Sequence, residues 1–316
     1  MNTQYFKYAV EVEKTGSITQ AAENLFMAQP NLSKAIKELE DTLGIVIFER
    51  TPRGVSPTAA GKEFLDYAKR ILIQLEKMES ISIPRSERES RQTMRVSIPR
   101  GSYISTAFAS FISSLDMTKG INIAFQETGS LQTLTNVTEN GYDFGILRYQ
   151  TMYENYFLHY FKDKSLASEL IWEFSCLALM SADHPMAKLE TIDIEELRQV
   201  SVEIVHGDNL VPYLPADELM PNPPGGDPTS KRIFVYERGS QFELLAKVKN
   251  SFMWVSPIPQ DLLDRYNLVQ RVCHMENNKF KDVLIYPKHY KFTTVDKLFL
   301  NKVYEAKNEV ALAEKK

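Results

Sequence analysis

Residues 17–40 constrain the fold of this chain more than any other stretch, because they predict two short helices joined by a tight turn. Ser17 and Gln20 have the spacing of a capping box, in which a hydroxyl and an amide satisfy free N–H groups at a helix start. Ala21 and Ala22 then give the first helix a small apolar face. Small side chains let helices approach closely, so the two helices are expected to pack as one motif.

The second helix is predicted to begin near Gln29, with Pro30 tolerated because the first backbone N–H groups of a helix have no helical partner. The apolar residues at helical spacing, which must face a core, are Leu32, Ala35, Ile36, Leu39 and Leu43. The polar residues left outside are Asn31, Ser33, Lys34 and Lys37. Such groups on one face can read base edges and hold phosphates in a DNA groove. The alternative is an ordinary amphipathic surface helix whose polar face is only solvated.

Short elements flank these helices. Thr3 can cap a helix over residues 4–15, and Gly16 ends it. Residues 45–48 suit a short strand, and residues 50–55 form a basic hairpin tip that contains Pro and Gly. Three helices followed by a basic β-wing indicate a winged helix-turn-helix whose wing meets the DNA backbone. The predicted DNA contacts are Thr19, Gln29, Pro30, Asn31, Ser33, Lys34, Lys37, Arg50 and Arg53.

The segment from residue 16 to residue 61 resembles the N-terminal domain of LysR-type transcriptional regulators. It reads GSITQAAENLFMAQPNLSKAIKELEDTLGIVIFERTPRGVSPTAAG, with the AAE-x-L helix, the QP-x-LS recognition helix, the LG turn and the FER strand of that family in order. Ala28 stands where the family often has a Ser cap, so the recognition helix is expected to start more weakly. Ile47 replaces a Leu, and Ser56-Pro57-Thr58 replaces an apolar-Thr exit but keeps the Thr cap.

The charge balance gives no support of its own to DNA binding. The whole chain carries a net charge of −4, and residues 1–60 hold six basic and seven acidic side chains. A DNA-binding domain is usually basic overall, so in this chain the positions of the charges matter more than their sum. Four of the six basic side chains fall on the recognition helix and the wing. This placement predicts weak non-specific affinity and a strong dependence on dimerisation.

A long helix is predicted after the wing, capped by Thr58 and ending near Ser82. The apolar residues that alternate at spacings of four and three, as in a coiled-coil seam, are Phe64, Ala68, Ile71, Leu75 and Met78. Leu65 and Leu72 widen this stripe. Packing within one subunit is the alternative; the resemblance implies instead the linker helix through which two subunits of the family pair. Residues 84–93, which are charged and lack apolar periodicity, indicate a hinge.

From residue 94 onward strands and helices alternate, which predicts an α/β domain with a parallel sheet covered by helices. The predicted strands cover 94–98, 121–125, 141–147 with the entering turn, and a strand-like region 170–180; the predicted helices cover 102–115 and 131–139. Residues 143–147 and the phrase ADHPMA at 182–187 again resemble the LysR family, in its effector domain. The resemblance implies two α/β subdomains, similar to periplasmic binding proteins, around a small-molecule cleft.

The predicted organisation therefore has three parts. Residues 1–58 form the winged helix-turn-helix domain, residues 59–90 form the linker helix and hinge, and residues 91–316 form the effector-binding domain. Within this last part, subdomain I takes about 91–163 and 269–316, and subdomain II takes about 164–268.

Ligands of such sheets bind beyond the carboxyl ends of the strands, which selects a set of loop residues. The predicted effector contacts are Pro99, Arg100, Gly101, Ser102, Tyr103, Thr128, Gly129, Ser130, Arg148, His206, Val255 and Ser256, with Val205, Gly207, Trp254 and Pro257 beside them. Arg100 next to a helix N-terminus suits a carboxylate or phosphate, although pairing with a local acid is the alternative.

Other features exclude several classes of protein. Cys176 and Cys273 are far apart and read as buried thiols rather than a disulfide or a metal pair, and the five histidines lack metal-ligand spacing. We therefore expect no cofactor and no metal. Neither an apolar run of membrane-spanning length nor a secretory leader is present, so a cytoplasmic protein is expected. Residues 212–228 hold six prolines and read as a surface loop, either a lid or a tolerated insertion.

The sequence thus predicts a sequence-specific DNA-binding transcription regulator that is controlled by a small-molecule effector and is not an enzyme. No nucleophile elbow, phosphate loop or paired-carboxylate motif is found in the sequence. The expected partners are double-stranded DNA, a small-molecule effector such as an organic anion, and further copies of the chain in a homodimer or homotetramer. RNA polymerase is a further candidate. The alternative is a small-molecule binding protein or α/β enzyme with an incidental helix-turn-helix. Effector, target genes, activation or repression, and dimer or tetramer stay open.

Overall fold

The computed structural model describes residues 2–51, 54–81, 91–206, 231–235, 241–274 and 278–313. The chain divides into two compact units. The first unit comprises Met1–Glu89 with Glu139–Gly141, and the second comprises Ser90–Thr138 with Tyr142–Lys316.

The first unit is a winged helix-turn-helix followed by a long helix, as predicted. Its elements are α1 (Thr3–Thr15), α2 (Ile18–Asn24), α3 (Gln29–Leu43), β1 (Phe48–Thr51), β2 (Gly54–Pro57) and α4 (Ala59–Ile81). β1 and β2 pair antiparallel to form the wing. The core includes Phe6, Ala9, Ala21, Ala22, Leu32, Ile36, Leu39, Ile47 and Leu65. Four helices therefore share one small apolar centre.

The helix starts differ in detail from the prediction. Asn2, not Thr3, caps α1, because the Asn2 side chain accepts the Gln4 N–H at 3.0 Å. Ser17 caps α2 by accepting the Gln20 N–H at 3.3 Å, but the Gln20 side chain does not complete the box. It donates to Glu23 and Asn24 instead, and the Thr15 hydroxyl accepts the Ser17 N–H. α3 begins after Ala28 without a side-chain cap, as its sequence predicts.

The predicted strand at 45–48 is wrong in its start. β1 begins only at Phe48, because one carboxylate oxygen of Glu40 accepts the N–H groups of Ile47 at 2.7 Å and of Phe48 at 3.0 Å. These bonds hold the segment after α3 against that helix rather than in the β-ladder. Ile47 is buried in the core.

The predicted seam of α4 is also revised. Thr58 caps the helix as expected, its hydroxyl accepting the Gly61 N–H at 2.9 Å. Ala68, however, is buried in the core of the first unit, and Phe64 packs edge-on against Phe6 with ring centroids 5.6 Å apart. The N-terminal part of the stripe, Phe64 and Ala68, therefore packs within one subunit. Ile71 and Met78 are exposed, and Leu75 is half-buried, so only the second half remains open to a partner.

The second unit contains two sheets, as the two predicted α/β subdomains require, but both sheets are mixed rather than parallel. Its strands are β3 (Arg91–Ile98), β4 (Gly120–Glu127), β5 (Phe144–Gln150), β6 (Leu166–Ser175), β7 (Leu177–Ser181), β8 (Thr191–Asp193), β9 (Val202–His206), β10 (Arg232–Val235), β11 (Ser251–Val255), β12 (Leu268–His274) and β13 (Lys279–Pro287). Its α-helices are α5 (Ser102–Ser113), α6 (Ser130–Thr138), α7 (Glu154–Asp163), α8 (Ile194–Val200), α9 (Gln241–Lys247), α10 (Gln260–Tyr266) and α11 (Thr294–Ala313). A short 3-10 helix, Thr151–Tyr153, precedes α7.

One sheet has the order β4-β3-β5-β13-β6 and the other β10-β9-β11-β7-β12-β8. β3 runs parallel to β4 and β5, whereas β13 runs antiparallel to β5 and β6. α5 and α11 cover the first sheet, and Phe111 and Phe299 pack edge-on there with ring centroids 5.5 Å apart. The second sheet has separate cores on its two faces, built around Leu179 and Met180.

The predicted subdomain boundaries near 163/164 and 268/269 are wrong. β6 pairs with β13 along its length and so belongs to the first sheet, whereas β12 pairs with β7 in the second. The chain therefore crosses between the sheets at Cys176 and again between His274 and Lys279, and the predicted strand at 170–180 is two strands. Asn278 joins the crossings: its side chain accepts the Cys176 N–H at 3.1 Å and donates to the Cys176 carbonyl at 2.8 Å.

Some predictions concern residues that the structure describes in part or not at all. Of the hinge predicted at 84–93, residues 91–93 belong to β3, and the remainder lies outside the described residues. The proline-rich segment 212–228 lies outside them as well. Among the helices that are described, none is both long and apolar enough to cross a membrane.

Candidate DNA-binding surface and effector site

The polar face of α3 is exposed because its opposite face is fixed in the core. Leu32, Ile36 and Leu39 are buried, which leaves Asn31 and Lys37 on the exposed side. The other predicted contacts in this region are Thr19, Gln29, Pro30 and Lys34, which are exposed, and Ser33, which is half-buried. The helix thus presents amide, hydroxyl and ammonium groups at one surface, as its spacing predicted.

Lys34 is only loosely held. Its Nζ lies 3.8 Å from Glu38 Oε1, one helical turn further on, and both side chains are largely exposed. Glu38 also accepts the Tyr5 hydroxyl at 2.8 Å, and this hydrogen bond raises the pKa of Tyr5. Exposed ion pairs of this length contribute little to stability, so Lys34 can exchange Glu38 for a phosphate at small cost.

The wing is fixed to the corner between α1 and α2. The Val55 N–H donates to the Gly16 carbonyl at 2.8 Å, and Gly54 has a φ of 126°. A Cβ on Gly54 would lie 2.5 Å from the Gly16 oxygen, so only glycine fits. Arg50 lies on β1 in register with Val55, and Arg53 lies outside the described residues. The wing backbone therefore has one fixed position relative to the helix-turn-helix.

The predicted effector residues of the first sheet come together at the carboxyl ends of its parallel strands. The Thr128 N–H, after β4, donates to the Ile98 carbonyl at the end of β3 at 2.9 Å. The Ser130 hydroxyl donates to the Arg148 carbonyl on β5. Gly101 precedes α5, and a Cβ there would lie 2.9 Å from Arg148 Nη2. Pro99 and Ser102 are buried beside these residues, and Arg100 and Gly129 are half-buried.

Arg148 is already engaged by protein acceptors. Its Nε and Nη2 donate to the two carboxylate oxygens of Asp282 at 2.8 and 2.7 Å, and its Nη1 donates to the Arg100 carbonyl at 3.1 Å. The Tyr103 hydroxyl donates to the same carboxylate at 2.5 Å, and Asp282 is fully buried. This guanidinium therefore joins β5 to β13 and to the segment after β3 that supplies the Arg100 carbonyl, and its contact with an effector stays a prediction.

Electrostatics keep this group of side chains in one protonation state. Burial lowers the pKa of Arg148, but attraction by Asp282 and the hydrogen bonds outweigh burial, so the pKa is raised overall. Burial raises the pKa of Tyr103 well above its ordinary value, and the Asp282 charge raises it further. Tyr103 therefore stays a neutral hydroxyl donor to Asp282.

The second sheet contributes the other predicted residues. β9 ends at His206 and β11 ends at Val255, and these strands run parallel and adjacent. Val255 is half-buried and Ser256 is buried. Trp254 packs edge-on against Phe252, with ring centroids 5.6 Å apart. Val205 lies on β9, Pro257 is buried, and Gly207 lies outside the described residues. Val205, Trp254 and Val255 thus lie at the carboxyl ends of two neighbouring strands, where the sequence predicted them.

A cavity of about 1440 Å³ lies elsewhere in the second unit, along β12 and the crossing between the sheets. Of the predicted effector residues at 99–148 and 255–256, none lines it. Cys176 and Cys273 line it, and both are buried free thiols as predicted. Burial raises the pKa of Cys176 to about 12, so the thiol stays protonated. This cavity could not be predicted from the sequence, because its walls combine residues of β6, β12 and α10 that are far apart along the chain.

Comparison with known proteins identifies the first unit. The family model described as bacterial regulatory helix-turn-helix protein, lysR family, matches residues 3–62. Residues 3–62 therefore match the helix-turn-helix of the LysR family. The chain is 44% identical over 72 residues to the HTH-type transcriptional regulator ClcR of Pseudomonas putida, which is 23% of this chain and 24% of ClcR. It is 46% identical over 79 residues to the nitrogen assimilation regulatory protein nac of Escherichia coli K12, covering 25% of this chain and 26% of nac.

The LysR match in sequence thus spans about a quarter of the length of these relatives. The fold extends the likeness over nearly the whole chain. The crystal structure of CbnR, a LysR family transcriptional regulator, superposes with a TM-score of 0.63 at 17% identity, covering 97% of this chain and 99% of CbnR. Full-length CbnR complexed with its target DNA superposes with a TM-score of 0.62 at 18% identity, covering 97% and 100%. The chain therefore shares the fold of full-length CbnR. The proteins to which it is similar, ClcR, nac and CbnR, are regulatory proteins.

Proposed function

We propose that this chain is a sequence-specific DNA-binding transcription regulator whose activity is controlled by a small-molecule effector bound between its two α/β subdomains. The observation that carries the proposal is the exposed polar face of α3 within a LysR-family domain. A regulator of this kind acts on duplex DNA in the cytoplasm. RNA polymerase is the partner through which it would change transcription.

DNA binding is supported by the arrangement of α3 and the wing. The first turn of α3 presents exposed Gln29, Pro30 and Asn31, and two exposed lysines follow within two turns. Bases are read by amides at the start of such a helix, and phosphates are held by ammonium groups beside it. The acidic balance of the domain reduces the non-specific term, so specific contacts and pairing of two domains must supply the affinity.

Pairing of two subunits is supported by the open half of the α4 stripe. Ile71 and Met78 expose apolar surface on a helix whose other face is packed in the core of the first unit. A second copy of α4 would cover it and hold two recognition helices at a fixed spacing, as two half-sites require. Assembly of two dimers into a tetramer is a further step of the same proposal.

Effector binding is supported by the residues that follow β3, β4 and β11. The start of α5 follows Gly101, and the N–H groups of Ser102 and Tyr103 precede its first helical bond, from Ile104 to Gly101. Helix starts favour anions, and Arg100 adds a charge beside this one. A small organic anion is therefore the effector class we propose.

The competing function is an α/β enzyme or binding protein with an incidental helix-turn-helix. The test is a selection of duplexes from a random pool by the full-length chain, followed by fluorescence anisotropy with a selected duplex and a scrambled duplex of equal composition. A regulator binds the selected duplex more tightly, with an affinity that falls steeply with salt. Equal and weak binding to both duplexes would favour the competing function.

A further inference from the structure

Phe26 lies in the turn between α2 and α3, and its side chain is 98% exposed. Its neighbours Leu25 and Met27 both pack against the core of the first unit, so the turn as a whole is not detached from the domain. One exposed apolar side chain is ordinary on a protein surface. The backbone of Phe26 makes this one different.

α2 ends in a Schellman motif with Phe26 in its left-handed position. The Phe26 N–H donates to the Glu23 carbonyl at 3.0 Å, and the Met27 N–H donates to the Ala22 carbonyl at 3.0 Å. These are the two bonds of the motif, which requires a positive φ between them. Phe26 has a φ of 54°. Glycine or asparagine usually takes this position, because a bulky side chain is strained there.

The same domain uses glycine after its other two helices. Gly16, with a φ of 62°, follows α1, and Gly44, with a φ of 66°, follows α3. Phe26 therefore accepts strain that the neighbouring helix ends avoid, and its ring gains no burial in return. Residues held in such conformations cluster where a protein contacts its ligands.

We propose that Phe26 contacts apolar groups of duplex DNA, either thymine methyl groups or deoxyribose carbons. The inference rests on the proposed function. Phe26 lies three residues before Gln29, in the turn that leads into α3, and it is exposed like Pro30 and Asn31 in the first turn of that helix. Phenylalanine is among the side chains that make apolar contacts with the thymine methyl in the major groove. A neutral ring releases no counterions, so it adds affinity without adding salt dependence.

The experiment compares the full-length wild type with Phe26→Asn, Phe26→Gly and a control, Met117→Asn, which changes an exposed apolar residue of the second unit. Each protein is titrated against the duplex that the wild type selects from a random pool. Both Phe26 variants should lose affinity on the order of tenfold with an unchanged salt slope, while the control keeps wild-type affinity. Because the strain is relieved, amide hydrogen exchange across α2 and α3 should be slower in Phe26→Asn than in wild type.

Replacement of thymine by uracil in the duplex separates the two apolar groups. A loss of affinity in wild type but not in Phe26→Asn assigns the contact to the methyl, and equal affinities for both duplexes assign it to deoxyribose. Wild-type affinity in both Phe26 variants would overturn this inference and leave the proposed function intact. If those variants also had an altered oligomeric state, the Phe26 ring would be assigned to a protein contact instead. If the wild type selects no duplex, the proposed function fails together with the inference.

Discussion

Asp282 lies within β13 and binds both Arg148 of β5 and Tyr103 of α5, and its side chain is fully buried. The nearly buried guanidinium of Arg148 would lose its counter-charge in Asp282→Asn. Removal of one partner from a buried ion pair commonly costs about 3–5 kcal/mol, because the remaining charge stays desolvated. We therefore expect Asp282→Asn to lower the urea midpoint of the chain strongly.

The matched control for Asp282→Asn is Glu243→Gln, which removes a carboxylate from an exposed pair with Lys247. Pairs of this kind contribute little in water, so the urea midpoint should not change measurably. Equal midpoints for wild type and Asp282→Asn would contradict the positioning role that we assign to Arg148.

His184 provides a second prediction at this scale. The buried ring contacts the Ser201 hydroxyl through Nε2 at 2.8 Å and accepts the Met186 N–H at Nδ1 at 3.1 Å. Burial lowers its pKa below the ordinary value. The unfolded chain thus binds the proton first, so stability is lost as the pH falls from about 6.5 towards the folded pKa. Urea unfolding at pH 7.5 and 5.5 should show a larger loss for wild type than for His184→Gln; equal losses would contradict it.

At the scale of the element, α4 divides its apolar stripe between two uses. Ile71 is exposed, so Ile71→Glu should leave the fold intact, dissociate the dimer and weaken binding to a two-half-site duplex by at least tenfold. Light scattering and anisotropy measure the two effects. Ile71→Leu keeps the apolar surface and serves as the control. A variant Ile71→Glu that stays dimeric would show that α4 does not pair subunits.

Ala68 gives the opposite result on the same helix. It is 1% exposed within the core of the first unit, so Ala68→Glu buries an unpaired carboxylate. We expect this variant to unfold the DNA-binding domain, with loss of far-ultraviolet helical signal, rather than to dissociate a folded dimer. If Ala68→Glu were folded and dimeric, Ala68 would not be part of the core of the first unit, and the continuous coiled-coil seam predicted from the spacing would be supported instead.

These elements also show what sequence can predict. Helix ends set by one local residue were predicted well, as at Gly16 and Thr58. The start of β1 was missed because it depends on a bond from Ile47 to Glu40, seven residues apart. Heptad spacing predicted an apolar stripe on α4, but spacing does not say whether Ala68 packs within one chain or against another. The subdomain boundary was missed for the same reason, since strand pairing is non-local.

The candidate sites divide in the same way. The DNA-binding face of α3 follows from helical periodicity, and the structure exposes Asn31, Lys34 and Lys37 as predicted. The partner of Arg148 could not be found from sequence, because Asp282 lies 134 residues away in a strand that pairs only in the folded domain. A single aspartate in a strand of alternating apolar and polar residues, such as Asp282, does not reveal from sequence which cation it will contact.

At the scale of the whole molecule, regulation requires that the effector favour one assembly state over another, since equal affinity for both would leave their populations unchanged. We expect organic acids that raise the melting temperature of wild type to change its DNA affinity. Arg100→Ala should lose that thermal shift and keep effector-free DNA binding. The control is Lys162→Ala, which deletes an exposed positive charge on α7 and should keep both the thermal shift and the DNA binding. An acid that stabilises Arg100→Ala as strongly as wild type would remove Arg100 from the site.

The central claim is that α3 reads duplex DNA, and the salt dependence of binding tests it most directly. Anisotropy titrations across salt compare wild type with Lys37→Ala, Asn31→Ala and Lys162→Ala on the selected and scrambled duplexes. Lys37→Ala should weaken binding to both and reduce the slope of log affinity against log salt by about one unit. Asn31→Ala should cost about 1–3 kcal/mol on the selected duplex only. Wild-type slopes and affinities in both α3 variants, with Lys162→Ala unchanged, would contradict the assignment of α3 as the recognition helix.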